Sequence, residues 1–441
     1  MNTMDERRMN LLVTNTRSPQ AYDIIRALRP FAQKIVATML KESFFPGRQS
    51  FAAYSRHVDK RYVTPSPVSD WSAGNVQKEN TEREEEYICK LLRICDDEKI
   101  DIIYPSLDPY VYVLSKNKER FKKMGVLIPA PDYEILMTVT DKYRTIKAAQ
   151  KVGFPCPETY LLEYSDDLPW YAERLGFPLV IKPRFTLGGK GMKIVTSLPE
   201  LLDKAPLVAK QHNVPMLQEY IPGGDRDSFQ FLFDRQGDLK FAFHKKRHRE
   251  FRVTHRLGTV SESRALPPLI RDSEALFKKI GWWGAAGIET KRDPRDNLLK
   301  LMEINPRFPR QLWNRMELGI NEPLMCLNVL RDEMFETIND YPVGTLFIAP
   351  IEDIMLLGVQ ILDILAYKFR TVVLGKSPQD PLNAPLSLKN QIQSFVRTYV
   401  GDKQRVFDPY SKYFFHDPVV SIMWWLQFST WVLWTGRHLG R

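Results

Sequence analysis

A predicted β-hairpin with acidic residues on both strands constrains this chain more than any other feature. Residues 288–292 and 298–305 have the alternating apolar pattern of strands, and residues 293–297 between them are rich in turn-forming side chains. A hairpin folded about Asp296 would place Glu289 directly opposite Glu303. Asn305 would follow on the same face, because side chains alternate along a strand.

Like charges that face each other across a sheet repel unless a cation or a proton lies between them. Two carboxylates and an amide oxygen are hard ligands, so the hairpin predicts a divalent metal site, with Mg²⁺ as the first candidate. The alternative is a register shifted by one residue, in which both glutamates point to solvent.

Composition limits the class of protein. The chain has 441 residues, which is too long for one core and indicates two or three domains. Its hydrophobic fraction of 44% and charged fraction of 26% exclude a disordered chain. The cysteines have no CxxC spacing and the N-terminus has no signal-like segment, which predicts reduced thiols and a cytoplasmic location. The four cysteines are Cys89, Cys95, Cys156 and Cys326.

The net charge of +10 is most concentrated in residues 244–256, which contain six Lys or Arg and one Glu. No RNA-binding signature or interleaved aromatic residues accompany this block, so nucleic acid is the least supported partner. The remaining readings are a solvated basic loop after a predicted strand at 239–243, or a site for an anionic substrate or membrane surface. His244, Lys245, Lys246, Arg247 and His248 are the residues that could reach an anion.

Strands and helices alternate in the first 130 residues, which predicts a parallel α/β sheet. Ligands of such sheets bind at the carboxyl ends of the strands, so residues 14–18 and 106–109 are expected to form the edges of a crevice. A dinucleotide is not expected, because no GxGxxG follows the first strand. A second α/β region extends to about residue 330, and residues 351–369 have the apolar spacing of a helix.

Residues 418–436 contain no charged side chain and four tryptophans. Their length is at the lower limit for a membrane span, but the tryptophans lie in the middle of the segment as well as near its end. This pattern favours a helix packed on the protein's own core or on an oligomer partner over one docked on a membrane.

Three further segments carry candidate functional residues. Lys182 ends an apolar strand, and Gly188, Gly189, Lys190 and Gly191 follow in a loop whose amides could approach phosphate or form an ordinary hairpin turn. A second apolar strand, 216–221, stops at two glycines. Thr140 is a candidate N-cap for the helix that begins near Lys142.

Taken in this order, these motifs resemble the ATP-grasp superfamily. Residues 281–289 and 302–307 are similar to the metal-binding end of carbamoyl-phosphate-synthase-like and carboxylate–amine ligases, especially a group of bacterial predicted ATP-grasp carboligases. The resemblance covers about residues 10–330. It implies an α/β (α+β) fold with an N-terminal parallel α/β pre-ATP-grasp domain at 1–130, a two-part ATP-grasp domain at 131–330, and a mostly helical C-terminal extension at 331–441.

The resemblance also implies roles for individual residues. Lys142 and Lys182 would reach the nucleotide phosphates, and the glycine loop with Lys190 would close over them. Glu303 would bridge two Mg²⁺ ions, and Arg307 would contact phosphate or substrate oxygen. The hinge that reads adenine would be Gln218, Glu219, Tyr220 and Ile221, and the metal ligands would be Glu289, Glu303 and Asn305. Where these enzymes usually have a ribose-binding glutamate, this chain has Arg226 between Asp225 and Asp227, so the aspartate that binds ribose is left open.

The activity implied is an ATP- and Mg²⁺-dependent ligase that activates a carboxylate as an acylphosphate for attack by an amine or a similar nucleophile, with Mn²⁺ able to replace Mg²⁺. One alternative is a kinase-like or carbamoyl-phosphate-type enzyme that forms no amide. Another is a nucleotide-binding assembly protein at a membrane, suggested by the basic charge and the tryptophan-rich segment. The expected partners are small-molecule carboxylate and amine substrates and, through residues 418–436, an oligomer or the inner membrane face, with a homodimer as one form.

Overall fold

Three β-sheets organise the chain in a computed structural model. It describes residues 8–41, 50–68, 71, 76–163, 167–186, 188–212, 214–223, 226–250, 258–369 and 388–436. The four cysteines are all free thiols. The α/β fold class with a parallel first sheet and a helical C-terminal part is confirmed.

The first sheet has four parallel strands in the order β3-β2-β1-β4. Its strands are β1 (Met9–Val13), β2 (Ala32–Leu40), β3 (Lys60–Thr64) and β4 (Ile102–Tyr104). Helix α1 (Pro19–Leu28) joins β1 to β2 and begins with a proline, which suits the first helical position. Helix α2 (Glu82–Glu98) precedes β4 and is held by a reciprocal capping box between Thr81 and Glu84.

The second sheet is small and antiparallel, with the order β5-β8-β6-β7. Its strands are β5 (Thr159–Leu161), β6 (Leu179–Lys182), β7 (Lys193–Val195) and β8 (Met216–Glu219). Its apolar side packs on two helices in a core of its own, which separates this lobe from the rest of the molecule.

The third sheet has seven strands in the order β13-β12-β9-β10-β11-β14-β15. The strands are β9 (Arg226–Phe233), β10 (Leu239–Glu250), β11 (Gly258–Arg264), β12 (Gly284–Arg292), β13 (Leu299–Asn305), β14 (Leu346–Ile348) and β15 (Arg405–Phe407). Strands β12 and β13 form the predicted hairpin, and Glu289 pairs with Glu303 as predicted. The shifted register is therefore wrong.

The basic segment does not form a loop after residue 243. Strand β10 continues to Glu250, because it hydrogen bonds with β9 on one side and β11 on the other. Side chains of residues 244–248 therefore alternate between the two faces of the sheet. Residues 251–256 of the basic block lie outside the described residues.

The helices that complete the fold follow the predicted pattern with one correction. They are α3 (Asp108–Lys116), α4 (Lys118–Lys122), α5 (Tyr133–Thr140), α6 (Lys142–Gln150), α7 (Leu168–Leu175), α8 (Leu198–His212), α9 (Leu269–Ile280), α10 (Trp313–Met316), α11 (Glu322–Leu330), α12 (Pro350–Lys368), α13 (Leu388–Tyr399), α14 (Pro409–Lys412) and α15 (Pro418–Gly436). Asp141, not Thr140, caps α6, since its carboxylate accepts from the amides of Tyr143 and Arg144. Thr140 ends the preceding helix instead.

The last helix packs on the protein itself. Val420, Trp424 and Phe428 of α15 are buried, and the Trp424 ring lies 5.0 Å from the Phe51 ring beside the first sheet. Asp417 accepts a 2.5 Å hydrogen bond from Ser55 in the same region. Self-packing of this segment is thus confirmed. Among the described residues, none of the helices has the length and apolar character needed to cross a membrane.

Candidate active site

One face of the large sheet gathers the charged residues that the sequence singles out. On β9, Arg226 and Ser228 point to this face and pair with Lys291 and Glu289 of β12. The next strand adds Lys245, which pairs with Ser228 from the other side. Paired residues of neighbouring strands point to the same face, so this side of the sheet combines cations with carboxylates.

Glu303 lies among four cations. Lys142 Nζ is 3.7 Å from Glu303 Oε2, and Lys182 Nζ donates a 3.0 Å hydrogen bond to the neighbouring carbonyl of Met302. Burial alone would raise the pKa of Glu303, but Lys142, Lys182, Arg307 and Arg226 together hold that pKa below its usual value. The carboxylate is therefore charged at neutral pH.

Lys182 is buried at the end of β6, where the small lobe meets the hairpin. Burial lowers the pKa of Lys182 to about 8, Lys142 and Arg226 act in the same direction, and Glu303 opposes them. An anion bound beside this ammonium would restore its usual affinity for a proton.

Arg247 is a site residue whose contact the sequence did not reveal. It lies on β10 and forms an ion pair with Glu289, and its Nη2 also donates to Ser228 Oγ at 3.2 Å. Nearby, the ammonium of Lys245 is buried and donates to Gln311 Oε1 at 2.6 Å. Burial holds the pKa of Lys245 well below its usual value. Recognising these contacts required knowing that the basic segment is a strand.

The glycine loop connects β6 to β7. Gly188, Gly189 and Gly191 all have positive φ, at 61°, 75° and 78°, a conformation that favours glycine. A Cβ on Gly191 would lie 2.4 Å from Nε2 of His212, so this position also needs glycine for space. Thr186 Oγ1 donates to the carbonyl of Lys190 at 2.8 Å, while the Lys190 side chain is exposed.

The loop is linked to the predicted phosphate lysine. Lys142 Nζ donates to the carbonyl of Thr186 at 2.9 Å, and the cap residue Asp141 forms an ion pair with Arg184. The start of α6 and the start of the loop therefore hold each other in place.

The predicted hinge lies at the end of β8. The Gln218 side chain is buried and donates to Thr159 Oγ1 at 2.9 Å, while Glu219 forms a 2.5 Å ion pair with Arg295. Lys291 Nζ lies 5.1 Å from the centre of the Tyr220 ring and donates to the carbonyl of Ile221. The contacts of Glu219, Tyr220 and Ile221 tie the small lobe to the hairpin.

Asp227 lies away from these residues. It occupies the opposite face of β9, where its Oδ1 is 2.7 Å from Nε2 of His244 and the residue is buried. Because a strand alternates, Arg226 and not Asp227 shares a face with Glu289. Asp227 is therefore not placed to bind a ribose beside the hairpin, and Asp225 lies outside the described residues.

Arg307 connects the hairpin to the first domain. Its Nη2 donates to Asn305 Oδ1 at 3.1 Å, and its Nε forms an ion pair with Asp108, at the carboxyl end of the parallel sheet. The edge of the predicted crevice thus lies next to a predicted metal ligand.

The donors fit a hard divalent cation. Glu289, Glu303 and Asn305 present two carboxylates and one amide oxygen along one side of the hairpin. No group of three His, Cys, Asp or Glu side chains able to hold a metal occurs in the described residues, so an amide oxygen is needed for a third protein ligand.

Comparisons with known proteins give consistent matches. Residues 141–312 match the family model described as "Carbamoyl-phosphate synthase L chain, ATP binding domain", and residues 80–129 match "PylC-like, N-terminal domain". The C-terminal section of the carbamoyl phosphate synthase large chain of Methanopyrus kandleri is 23% identical over 195 residues, which cover 42% of this chain and 36% of that protein. The first curated relatives are covered over 18% to 36% of their length.

Two solved structures show the same fold. N5-carboxyaminoimidazole synthetase from Staphylococcus aureus matches with a TM-score of 0.59 at 13% identity, over 91% of this chain and 100% of that chain. The biotin carboxylase domain of 2-oxoglutarate carboxylase from Hydrogenobacter thermophilus, solved with MgADP and bicarbonate, also has a TM-score of 0.59, at 17% identity. That match covers 77% of this chain and 74% of the solved chain.

Proposed function

We propose a function from the premise that this chain contains an ATP-grasp domain related to that of carbamoyl-phosphate synthase. The protein is an ATP- and Mg²⁺-dependent ligase that activates a carboxylate as an acylphosphate for attack by an amine or a similar nucleophile. The observation that carries the proposal is the pairing of Glu289 with Glu303 among lysine and arginine side chains. Such a site contains both carboxylates that bind a metal ion and cations that bind phosphate.

ATP occupies the space between the small lobe and the large sheet. Lys142 and Lys182 contact its phosphates, the loop from Gly188 to Gly191 closes over them, and the chain at Gln218–Ile221 borders the adenine. In the proposed domain division, this site belongs to residues 131–330, residues 1–130 contribute the crevice, and residues 331–441 form the extension. When bound, Mg²⁺ supplies positive charge that neutralises the phosphates.

The protein residues support two chemical steps. A substrate carboxylate oxygen forms a bond to the γ-phosphorus as the bond to the β-phosphate oxygen breaks, and ADP leaves. The nucleophile then bonds to the acyl carbon, inorganic phosphate leaves, and an amine loses a proton. Lys182, Arg247 and Arg307 stabilise the negative charge of the phosphoryl group, and the closed loop excludes water from the acylphosphate.

Three finer points belong to this proposal. Glu289, Glu303 and Asn305 would hold two metal ions, and titration with Mn²⁺ monitored by electron paramagnetic resonance would count them. Mn²⁺ replaces Mg²⁺ in turnover. The protein forms a homodimer, for which light scattering would give twice the mass of one chain.

An ADP-release screen over pooled carboxylates and amines tests the reaction. We expect release that requires one carboxylate and one amine together, with an amide detected by mass spectrometry. The Glu303→Gln variant should lose at least 100-fold in rate, and a Glu333→Gln variant at an exposed glutamate serves as its control. ADP release with a carboxylate alone and no amide would instead indicate the kinase-like or carbamoyl-phosphate-type activity.

A further inference from the structure

Helix α12 exposes an apolar stripe along most of its length. Ile354, Leu362, Leu365 and Phe369 lie on this stripe and are between 55% and 66% exposed. Their spacing places them on one side of the helix and its C-terminal end. On the other side, Leu356 and Ile364 are buried, so the helix has a fixed orientation.

The helices on either side of α12 extend this stripe into one surface. Asp353 on one flank of α12 accepts a 3.1 Å hydrogen bond from Tyr399 of α13, and Met355 on the other flank accepts one from Ser429 of α15 at 3.7 Å. Helix α12 therefore lies between the other two. Both neighbours expose apolar side chains beside these contacts: Ile392 and Val396 on α13 with Val400 directly after it, and Val419, Ile422 and Leu426 on α15. We call these ten residues of the three helices the outer apolar surface.

The exposed charges among the described side chains of the three helices are positive. Lys389 and Arg397 are exposed on α13, and Lys368 is exposed at the end of α12. Helices α13 and α15 contain no acidic residue. Glu352 and Asp353 of α12 are buried and form ion pairs with Arg310 and Arg249, so they do not offset this charge at the surface.

Charge decides which partner fits this surface. Exposed apolar surface of this extent marks an interaction site. A second copy of the chain would bring two sets of the same cations together, and they would repel. An anionic lipid surface would instead bury the apolar side chains among its acyl chains and attract the lysines and arginine with its headgroups.

We propose that the outer apolar surface docks on an anionic lipid bilayer, with α12, α13 and α15 lying in the plane of the interface. This inference goes beyond the ligase reaction and does not depend on it. It also gives the two sides of α15 different roles. Trp424 and Phe428 hold the helix on the protein, while Ile422 and Leu426 face the lipid.

Flotation of the full chain with vesicles tests the proposal. We expect at least tenfold more protein to float with phosphatidylcholine vesicles that contain about one third phosphatidylglycerol than with pure phosphatidylcholine. Raising the salt concentration should weaken this binding, because salt screens exposed charges. Absence of flotation with the anionic vesicles at low salt would overturn the proposal.

Variants distinguish docking through the outer apolar surface from non-specific adsorption to vesicles. Leu362→Glu combined with Leu365→Glu should abolish flotation, whereas Leu207→Glu, at a leucine 57% exposed on α8, should not. Unchanged circular dichroism and melting temperature would show that the variants fold. Flotation retained by the double variant would overturn the proposal. The proposal would also be overturned if light scattering showed a dimer of the wild type and a monomer of the double variant, and neither protein floated. A second copy of the chain would then cover the surface.

Discussion

At the scale of single residues, Arg247 explains how the hairpin tolerates two facing glutamates. Its guanidinium pairs with Glu289, while Lys142 lies next to Glu303. Each carboxylate thus has its own cation, which offsets the repulsion expected between like charges on neighbouring strands. A metal ion that binds Glu289 must therefore compete with Arg247.

This competition gives a testable result for Arg247→Ala. Without nucleotide, the variant should bind Mn²⁺ about fivefold more tightly, the factor that corresponds to about 1 kcal/mol for a partly exposed ion pair. Electron paramagnetic resonance of free Mn²⁺ would measure the affinity. Arg264→Ala is the matched control, because Arg264 pairs with Glu262 rather than with a predicted metal ligand. Weaker Mn²⁺ binding by Arg247→Ala would show that the arginine supports the metal instead.

Lys182 gives a second prediction at this scale. Lys182→Ala should weaken binding of a non-hydrolysable ATP analogue by about 10- to 100-fold, because a charge-assisted hydrogen bond contributes about 1.5–3 kcal/mol. Calorimetry would measure the affinity. Lys193→Ala, which removes an exposed lysine from the adjacent strand β7, should leave it unchanged. Equal affinities of Lys182→Ala and wild type would show that Lys182 does not contact the nucleotide.

At the scale of elements, the glycine loop is shaped by backbone conformation and by one neighbour. Gly189 and Gly191 share nearly the same φ, but only Gly191 is closely approached, by His212 at the end of α8. The loop is therefore in close contact with the small lobe at Gly191 and has free space at Gly189.

Alanine substitutions separate these two effects. Gly189→Ala should lower the free energy of unfolding by about 1 kcal/mol through backbone strain alone. Gly191→Ala should lower it by at least about 1 kcal/mol more, since the new methyl group collides with the His212 ring. Urea unfolding would compare the two variants. Equal losses would mean that the loop moves away from His212 without cost.

Local elements were the most predictable from sequence. The register of β12 and β13 could be predicted because turn composition and side-chain alternation both act within one hairpin. The extent of β10 could not, because it depends on β9 and β11, which pair along both of its edges. Similarly, no local pattern indicates that the Asp227 side chain is directed towards His244 and away from the hairpin face.

At the scale of the whole molecule, the C-terminal extension is joined to the seven-stranded sheet. Arg249 at the end of β10 donates to Asp353 of α12 at 2.8 Å and to Thr398 of α13 at 2.8 Å. Asp353 lies in the first turn of α12, where an acidic residue also suits the helix dipole. Its buried partner lies on a distant strand, which no local pattern could indicate.

The extension also contains a carboxyl whose titration affects stability. Burial, with the Glu352 carboxylate as the second cause, raises the pKa of Asp408 to about 7. The folded state therefore holds this proton between about pH 4 and 7, where the unfolded state has lost it. The free energy of unfolding should fall over that range as pH rises.

Asp408→Asn should remove this contribution. At pH 8 the variant should be more stable than wild type by up to about 4 kcal/mol, because it keeps the acceptor for the amide of Ser411 without burying a charge. Chemical unfolding at several pH values would give both curves, with Asp402→Asn at an exposed aspartate as the control. Parallel curves for Asp408→Asn and wild type would contradict the prediction.

The contact between Trp424 and Phe51 has a consequence for biosynthesis. The parallel sheet leaves the ribosome before α15, yet part of its hydrophobic core is supplied by this helix, whose Trp424 is translated more than 350 residues after Phe51. Until that helix emerges, the nascent first domain exposes the apolar surface that α15 later covers. Chaperones that bind partly synthesised chains should therefore remain associated with this protein until α15 has been translated.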